Sequence, residues 1–327
     1  MSQERQPRPV VGTGVALRDP IGWRRFAGLA RQAESLGYEA VFLPEIAGRD
    51  AFAALTGLAG ETDSLLLGTG IVPMTSRSSS LTAMGAATVH ERSGGRAILG
   101  LGSGPPRKGA LDELAEQVRE IRALLTGDPS GSTKQDGLSL APGSPVPVWL
   151  AALGPRSVQL AGSIADGVLL NWCSPERVAA ARAEIRAAAA AAGRDPDAVT
   201  IAVYVRACLA QDDPARAMSA VKAAVGEYAS YTAYARQFAV MGLGSAADAA
   251  SAAHRAGRSE DVPDELVHAT CLVGDTAAAK ARLHAYREAG AHMPVVYPVG
   301  LPGAGKASDD GEAASLGATV RALAPEG

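Results

Sequence analysis

The chain has little cysteine, no excess of charge of either sign and no long apolar run, and each of these absences removes a class of protein. Its three cysteines, Cys173, Cys208 and Cys271, lie far apart and form no C-x-x-C or Cys/His grouping. Neither a disulfide framework nor a zinc site is supported, and all three are expected to be buried apolar residues. His254, His268, His284 and His292 show no ligand spacing either, so no metal site is expected. Formal net charge is −3, with 31 basic and 34 acidic residues intermixed, which offers no surface for nucleic acid or an anionic membrane. No apolar segment reaches the roughly 20 residues that cross a bilayer. Even the alanine-rich Val178 to Ala192 is interrupted by Arg182, Glu184 and Arg186. The opening MSQERQPRPVV lacks the apolar core of a signal peptide. Together these absences predict a cytoplasmic protein whose partner is a small molecule.

What is present is a repeated strand–helix rhythm. Leu65 to Ile71 and Ala97 to Leu101 have the length and bounded apolarity of buried strands, and Leu81 to Ser93 between them spaces Leu81, Met84, Ala87 and Val89 as a helix face does. That is one βαβ unit, which sets its strands parallel with their carboxyl ends side by side. Upstream, Val10 to Leu17 and Ala40 to Leu43 are strands, with helices over Ile21 to Leu36 and Ala51 to Thr62; Asp19 and Pro20 suit the first helix start. Downstream, the helix Leu111 to Leu125 leads into the polar loop DPSGSTKQDG, then strands at Val146 to Ala151 and Gly167 to Leu170, with a helix starting over Ser157 to Ala161. Val178 to Ala192 is a helix, Val199 to Leu209 the seventh strand, and Pro294 to Val299 the eighth, preceded by a short run at Thr270 to Gly274 and a helix over Asp275 to Ala289 capped by Asp275 or Thr276. Eight such strands close a (β/α)8 TIM barrel, and 327 residues suit one barrel domain with insertions. Residues 1–300 are assigned to that domain and 301–327 to a C-terminal tail with one short helix from Ala313 to Leu323. Ala215 to His268 is helical and too long for one crossover. Its Tyr228, Tyr231, Tyr234 and Phe238 form a stripe expected in a core rather than a site.

Barrel sites lie at the carboxyl ends of the strands. There, Gly70 and Ile71 with Pro73 would adjoin Gly102, Ser103 and Gly104, and glycine at such ends lets backbone approach a flat or phosphorylated ligand. The G-L-G-S-G spacing is not the G-x-G-x-x-G of a dinucleotide turn, and packing alone also accounts for small residues in a barrel turn. The phrases GTGIVPMTSR and AATVHERSGGRAILGLGSG, joined later by AALGP and IADGVLLN, resemble the luciferase-like superfamily of flavin and deazaflavin oxidoreductases, in particular the branch using the deazaflavin coenzyme F-420. The resemblance runs from about Val10 to Val299 and is strongest over Leu65 to Gly104. It implies a bulge after the third strand with a non-prolyl cis peptide, here Gly70 to Ile71, backing the coenzyme ring. It also implies a phosphate site on the backbone of Ala151, Ala152, Leu153 and Gly154 at a helix N-terminus. The long insertion then helps wall the substrate pocket, and a homodimer forms through helices around strands two to four.

The pattern departs from the family in two places. Where well-studied members carry a histidine after the second strand, this chain reads VFLPEIAGRD, with Glu45 following Pro44. The glutamate that sugar-phosphate dehydrogenases of the family place after the fourth strand corresponds to Pro105, which argues against that activity. Glu45 remains as the candidate catalytic group, a proton donor or acceptor, or else a rim carboxylate paired with Arg49 or Arg77. Ser76 and Arg77 are placed to contact coenzyme hydroxyls or an anion. Arg206 is either a solvated strand end, the simpler expectation, or an anion contact. His90, Glu91 and Arg96 fall on the opposite, stability face. The implied function is hydride transfer between F-420 and a small organic substrate. The alternatives are an FMN-dependent monooxygenase and a coenzyme-binding barrel without catalysis.

Overall fold

The computed structural model describes residues 9–18, 21–126, 138, 143–210, 212–301 and 309–326. The proposed helix start at Asp19 and Pro20, the opening segment to residue 8 and the DPSGSTKQDG loop lie outside the described residues. The elements run β1 Gly14–Ala16, α1 Trp23–Ser35, β2 Ala40–Leu43, α2 Ala51–Ala59, β3 Leu66–Thr69, β4 Val72–Pro73, α3 Ser79–Arg92 and β5 Ala97–Gly102. They continue α4 Ala110–Thr126, β6 Val148–Ala152, α5 Pro155–Ile164, β7 Gly167–Asn171, α6 Pro175–Ala191 and β8 Thr200–Ala207. An insertion follows, α7 Pro214–Ala229, α8 Thr232–Val240, α9 Gly244–Arg255 and α10 Asp264–Thr270, before β9 Cys271–Leu272, α11 Thr276–Glu288, β10 Met293–Pro298 and α12 Asp309–Ala322.

Every strand pairing is parallel, in the order β10-β1-β2-β3-β5-β6-β7-β8, and β10 pairs back onto β8 from Met293–Ala202 to Pro298–Ala207. The sheet is therefore a closed (β/α)8 barrel. Two shells of side chains hold it. Inside the cylinder, Phe42, Trp149, Tyr204 and Tyr297 pack with Ile98, Leu169 and Val295, while the alternate residues of each strand meet the helices in a larger outer core. Side chains stop the chain where a turn must become a helix: Asp50, Ser78, Ser174, Asp213 and Asp275 each accept an amide proton from the first turn of the helix that follows. Pro155, Pro175 and Pro214 open α5, α6 and α7, where a missing N–H costs nothing.

Four elements differ from expectation. The first strand is shorter than Val10 to Leu17. The third ends at Thr69 rather than Ile71, because the chain leaves the ladder at a cis Gly70–Ile71 peptide and rejoins as β4 against Leu101 and Gly102. The run Thr270 to Gly274 holds β9, which pairs with Arg206 and Ala207 beyond the end of β7 and is not a barrel stave. The final helix starts earlier than Ala313 and is tied to the barrel. Tyr38 donates to the Val320 carbonyl at 2.9 Å, and Thr319 accepts from the Leu209 amide at 3.1 Å. The insertion helices have their own core around Phe238, Val221, Val225 and Leu266, closed over Trp172 at the end of β7.

Candidate active site

The break in β3 leaves Gly100 on β5 without a backbone partner across the ladder. Thr69 supplies both missing bonds: its hydroxyl donates to the Gly100 carbonyl and accepts from the Gly100 amide, each at 2.8 Å. The displaced segment is fixed from three sides. Gly70 N–H donates to Leu43 O at 2.7 Å, Glu45 N–H donates to Ile71 O at 3.1 Å, and Met74 N–H donates to Gly102 O at 2.8 Å. From across the barrel, Tyr204 on β8 donates its hydroxyl to Gly70 O at 3.2 Å. Burial holds the Tyr204 phenol well above its ordinary pKa, so it stays a donor. A Cβ at Gly70 would lie 1.6 Å from that hydroxyl oxygen and 3.1 Å from Phe42, which is why no larger residue fits.

Ile71, Gly102 and Ala151 meet edge to edge. The Cβ position of Gly102 lies 2.6 Å from the Ile71 side chain and 3.7 Å from Ala151, and Pro73 pairs with Gly102. Ser103 and Gly104 continue from there, Gly104 in the left-handed region at φ 70° against Thr75. At the next strand end Gly154 precedes α5, which no side chain caps, and nothing lies within 4 Å of its Cβ position. The start of α5 is thus uncapped by any side chain and open on the side of the Gly154 Cβ position, as access of an anion to a helix N-terminus requires. Two of the sequence-predicted residues contribute differently. Ala152 is buried in the outer core, and the Leu153 amide is already engaged by Ser157 Oγ at 3.1 Å.

Glu45 sits at the rim, 11% exposed. Its Oε1 accepts from Arg77 Nε at 2.8 Å and Ser76 Oγ at 3.2 Å, and its Oε2 from the Ala51 amide at 3.3 Å. Arg77 also pairs with Asp50, and hydrogen bonding to Glu45 raises the guanidinium's pKa further. Ser76 and Arg77 are thus held by carboxylates of their own chain.

Beyond Tyr204 the carboxyl ends of β1, β8 and β10, with α7, α9 and α12, enclose a cavity of about 420 Å3. Arg206 lines it, and the solvated reading of this residue is overturned, since only 3% of it is exposed. Tyr228 lines it too, so that one member of the aromatic stripe belongs to a pocket after all. Neither placement was legible locally, because both depend on the insertion folding back over the mouth. On the opposite face, Arg96 binds the carbonyls of Leu65, Thr62 and Ser93, and His90 Nε2 lies 2.8 Å from Ser144 Oγ, as a stability face requires. Among the described residues no group of His, Cys, Asp and Glu could hold a metal ion, and no helix is long and apolar enough to cross a membrane.

A closed parallel barrel whose third stave breaks at a glycine places the chain in the class of (β/α)8 barrel proteins. The chain belongs to one family of that class: the luciferase-like monooxygenase model matches residues 6–293. It is similar to the 5,10-methylenetetrahydromethanopterin reductase of Methanolobus tindarius, 35% identical over 223 residues, or 63% of this chain and 67% of the relative. Among solved structures it resembles the coenzyme F-420-dependent tetrahydromethanopterin reductase of Methanopyrus kandleri, with a TM-score of 0.75 and 23% identity over 97% of this chain and 98% of that one. An F-420-dependent secondary alcohol dehydrogenase with an F-420-acetone adduct also superposes at a TM-score of 0.75, with 16% identity over 96% of this chain and 99% of that one. At these identities the two structures establish the fold.

Proposed function

We propose that the protein is an oxidoreductase that transfers a hydride between coenzyme F-420 and a small organic substrate. The observation carrying this reading is the continuous wall of Ile71, Gly102 and Ala151, which ends at the uncapped start of α5. The open space at Gly154 fits a phosphate, and the flat glycine-edged wall fits a ring, so the residues present suit the coenzyme. The family and the names of its relatives support the choice. When bound, F-420 supplies the hydride chemistry, and the chain's part is to position and exclude water. Ile71 and the backbone of Gly70 and Pro73 would back the ring, with Ser103 beside them; Gly102 and Gly104 admit the close approach of Ile71 and Thr75 that shapes this wall, and the start of α5 at Gly154 would receive the phosphate.

To Glu45 we assign proton exchange with the substrate, supported by its place at the rim directly after β2. Glu45→Gln keeps the size and the contacts to Ser76 and Ala51 while removing the charge, and is expected to lower kcat about 100-fold. Wild-type kcat in that variant removes the role.

The deciding experiment is a fluorescence and absorbance titration of the purified protein with F-420 and FMN, each oxidised and reduced. Saturable micromolar binding of the deazaflavin, about −8 kcal/mol or tighter, is expected. Preference for reduced FMN makes the protein a monooxygenase, binding of both without turnover makes it a coenzyme carrier, and binding of neither removes the function.

Residues 1–300 are read as one barrel domain in which 215–268 are an insertion, with 301–327 as its C-terminal segment; support comes from the single outer core that includes Val320 and Leu323. The three cysteines are unpaired and buried, which suits a reducing cytoplasm. A homodimer through the α2–α3 side is supported by Leu81 and Met84, exposed on α3.

A further inference from the structure

Arg206 is a buried cation without an anion. Its guanidinium lies 4.2 Å from the ring of Tyr297, 4.4 Å from Trp172 and 4.9 Å from Tyr228, and it hydrogen-bonds Asn171 Oδ1. Among the described residues no carboxylate is within ion-pair distance of it. The aromatic faces stabilise the charge, but they accept none of the remaining N–H groups, and a guanidinium presents five donors in a planar fork. Burial of such a group without a matching acceptor is unfavourable unless something else supplies one. Trp172 reaches its place on the guanidinium from a left-handed backbone, φ 51°, which a bulky residue adopts only where surrounding structure holds it.

The direction of Arg206 is fixed by the strand. Residues two apart on β8 share a face, so Arg206 stands on the same inward side as Tyr204, one step nearer the mouth, and opens into the cavity of about 420 Å3. Tyr297, paired in register with Arg206, lines the same cavity and packs edge-on to Tyr204 at 5.6 Å, and Tyr204 in turn touches Gly70. Tyr204 thus links the lining of the cavity to the Gly70 bulge of the proposed coenzyme wall. Arg18 lines its outer side, against Tyr297 and in the field of Glu227.

We infer that this cavity is the substrate subsite and that Arg206 receives a carboxylate of the substrate in its planar fork. The charges around it select the anion. Glu227 and Glu312 line the same space, so a dianionic phosphate would meet repulsion, whereas one carboxylate restores neutrality at Arg206 and lays its organic part against Tyr228 and Tyr297. The substrate class is therefore a small carboxylic acid with an apolar or aromatic body. Its role as a substrate rests on the coenzyme reading above, while its binding does not.

The test uses the full chain without coenzyme. Benzoate and 4-oxopentanoate are titrated by calorimetry beside their uncharged amides, against wild type, Arg206→Met and Arg206→Lys, with circular dichroism to confirm folding. Both acids are expected to bind wild type, at least about tenfold more tightly than their amides, and Arg206→Met is expected to lose that preference while Arg206→Lys retains part of it. If Arg206→Met does not fold, Arg206→Lys and Arg18→Gln carry the test, and each is expected to weaken the acids more than the amides. Equal binding of acids and amides, unchanged binding in the variants, or no binding of either acid overturns the proposal. Loss of F-420 binding in wild type with acid binding intact would remove the coenzyme reading and leave this subsite standing.

Discussion

At the scale of single residues, the most constrained contact is that between Gly70 and Tyr204, which come from opposite sides of the barrel. Adding one methyl at Gly70 forces the Tyr204 ring or the β3 end to move, because the Cβ would sit 1.6 Å from the hydroxyl oxygen and 2.9 Å from the ring carbon that bears it. Gly70→Ala is expected to lose about 1–3 kcal/mol in urea unfolding, as overpacked cores do. Tyr204→Phe loses the 3.2 Å bond to Gly70 O and leaves that buried carbonyl short of a donor, at about 1 kcal/mol. In the double variant the hydroxyl no longer blocks the methyl, so its loss should fall short of the sum of the two single losses by at least about 0.5 kcal/mol. Strict additivity would mean that the two do not press on each other. The glycine and its neighbours were legible in the phrase GTGIVP, but the reason for the glycine was not. Its opposing group lies 134 residues away, and only closure of the barrel brings the two together.

At the scale of elements, the apolar runs located the staves and helical spacing located the helices, since both are local signals. Ala40–Leu43 is a strand over the predicted span, and Asp275 caps α11 as its position suggested. The split of β3 was not legible from periodicity, because Gly70 and Ile71 continue the apolar run; what ends the strand is Thr69 replacing a main-chain partner for Gly100. Thr69→Val keeps the shape and removes both 2.8 Å bonds, leaving a buried amide and a buried carbonyl unpaired. A loss of about 2–4 kcal/mol is expected in chemical unfolding, and a loss under about 0.5 kcal/mol would show that the ladder closes by itself. The opposite end of the barrel carries a pH dependence. His292 Nδ1 accepts the Ile201 amide at 3.0 Å, and burial first, then Arg182, lowers its pKa below the ordinary 6.5. As pH falls below 6.5 the unfolded chain takes up a proton that the folded one refuses, so this contribution to stability is full above 6.5 and is lost as pH falls through the folded value. His90, also lowered by burial, acts with the same sign. The urea midpoint should therefore drop from neutral pH into the mildly acidic range, and His292→Gln should flatten part of that drop; an unchanged slope would mean that His292 charges freely in the fold.

At the scale of the whole molecule, the barrel could be read from one sequence, and a coenzyme wall proposed on it, because each is built from neighbours in the chain, strand by strand. The cavity proposed as the substrate subsite could not, since it joins β1, β8, β10 and α12 through an insertion whose alanine-rich helices carry no local mark of what they cover. The same limit applies to the outer surface, where assembly shows only as exposure. Leu81 and Met84 stand 54% and 52% exposed on α3, one turn apart, on the side where the family resemblance places a second copy. Apolar side chains so placed contribute to association when a partner covers them, at about 25 cal/mol per Å2 buried, and contribute little to the fold of one chain. A Leu81→Asp, Met84→Glu pair is therefore expected to leave thermal unfolding of the dilute protein and F-420 binding unchanged, while sedimentation shifts from dimer to monomer. A wild type that sediments as a monomer at every concentration, or a doubly substituted dimer, would place the contact elsewhere.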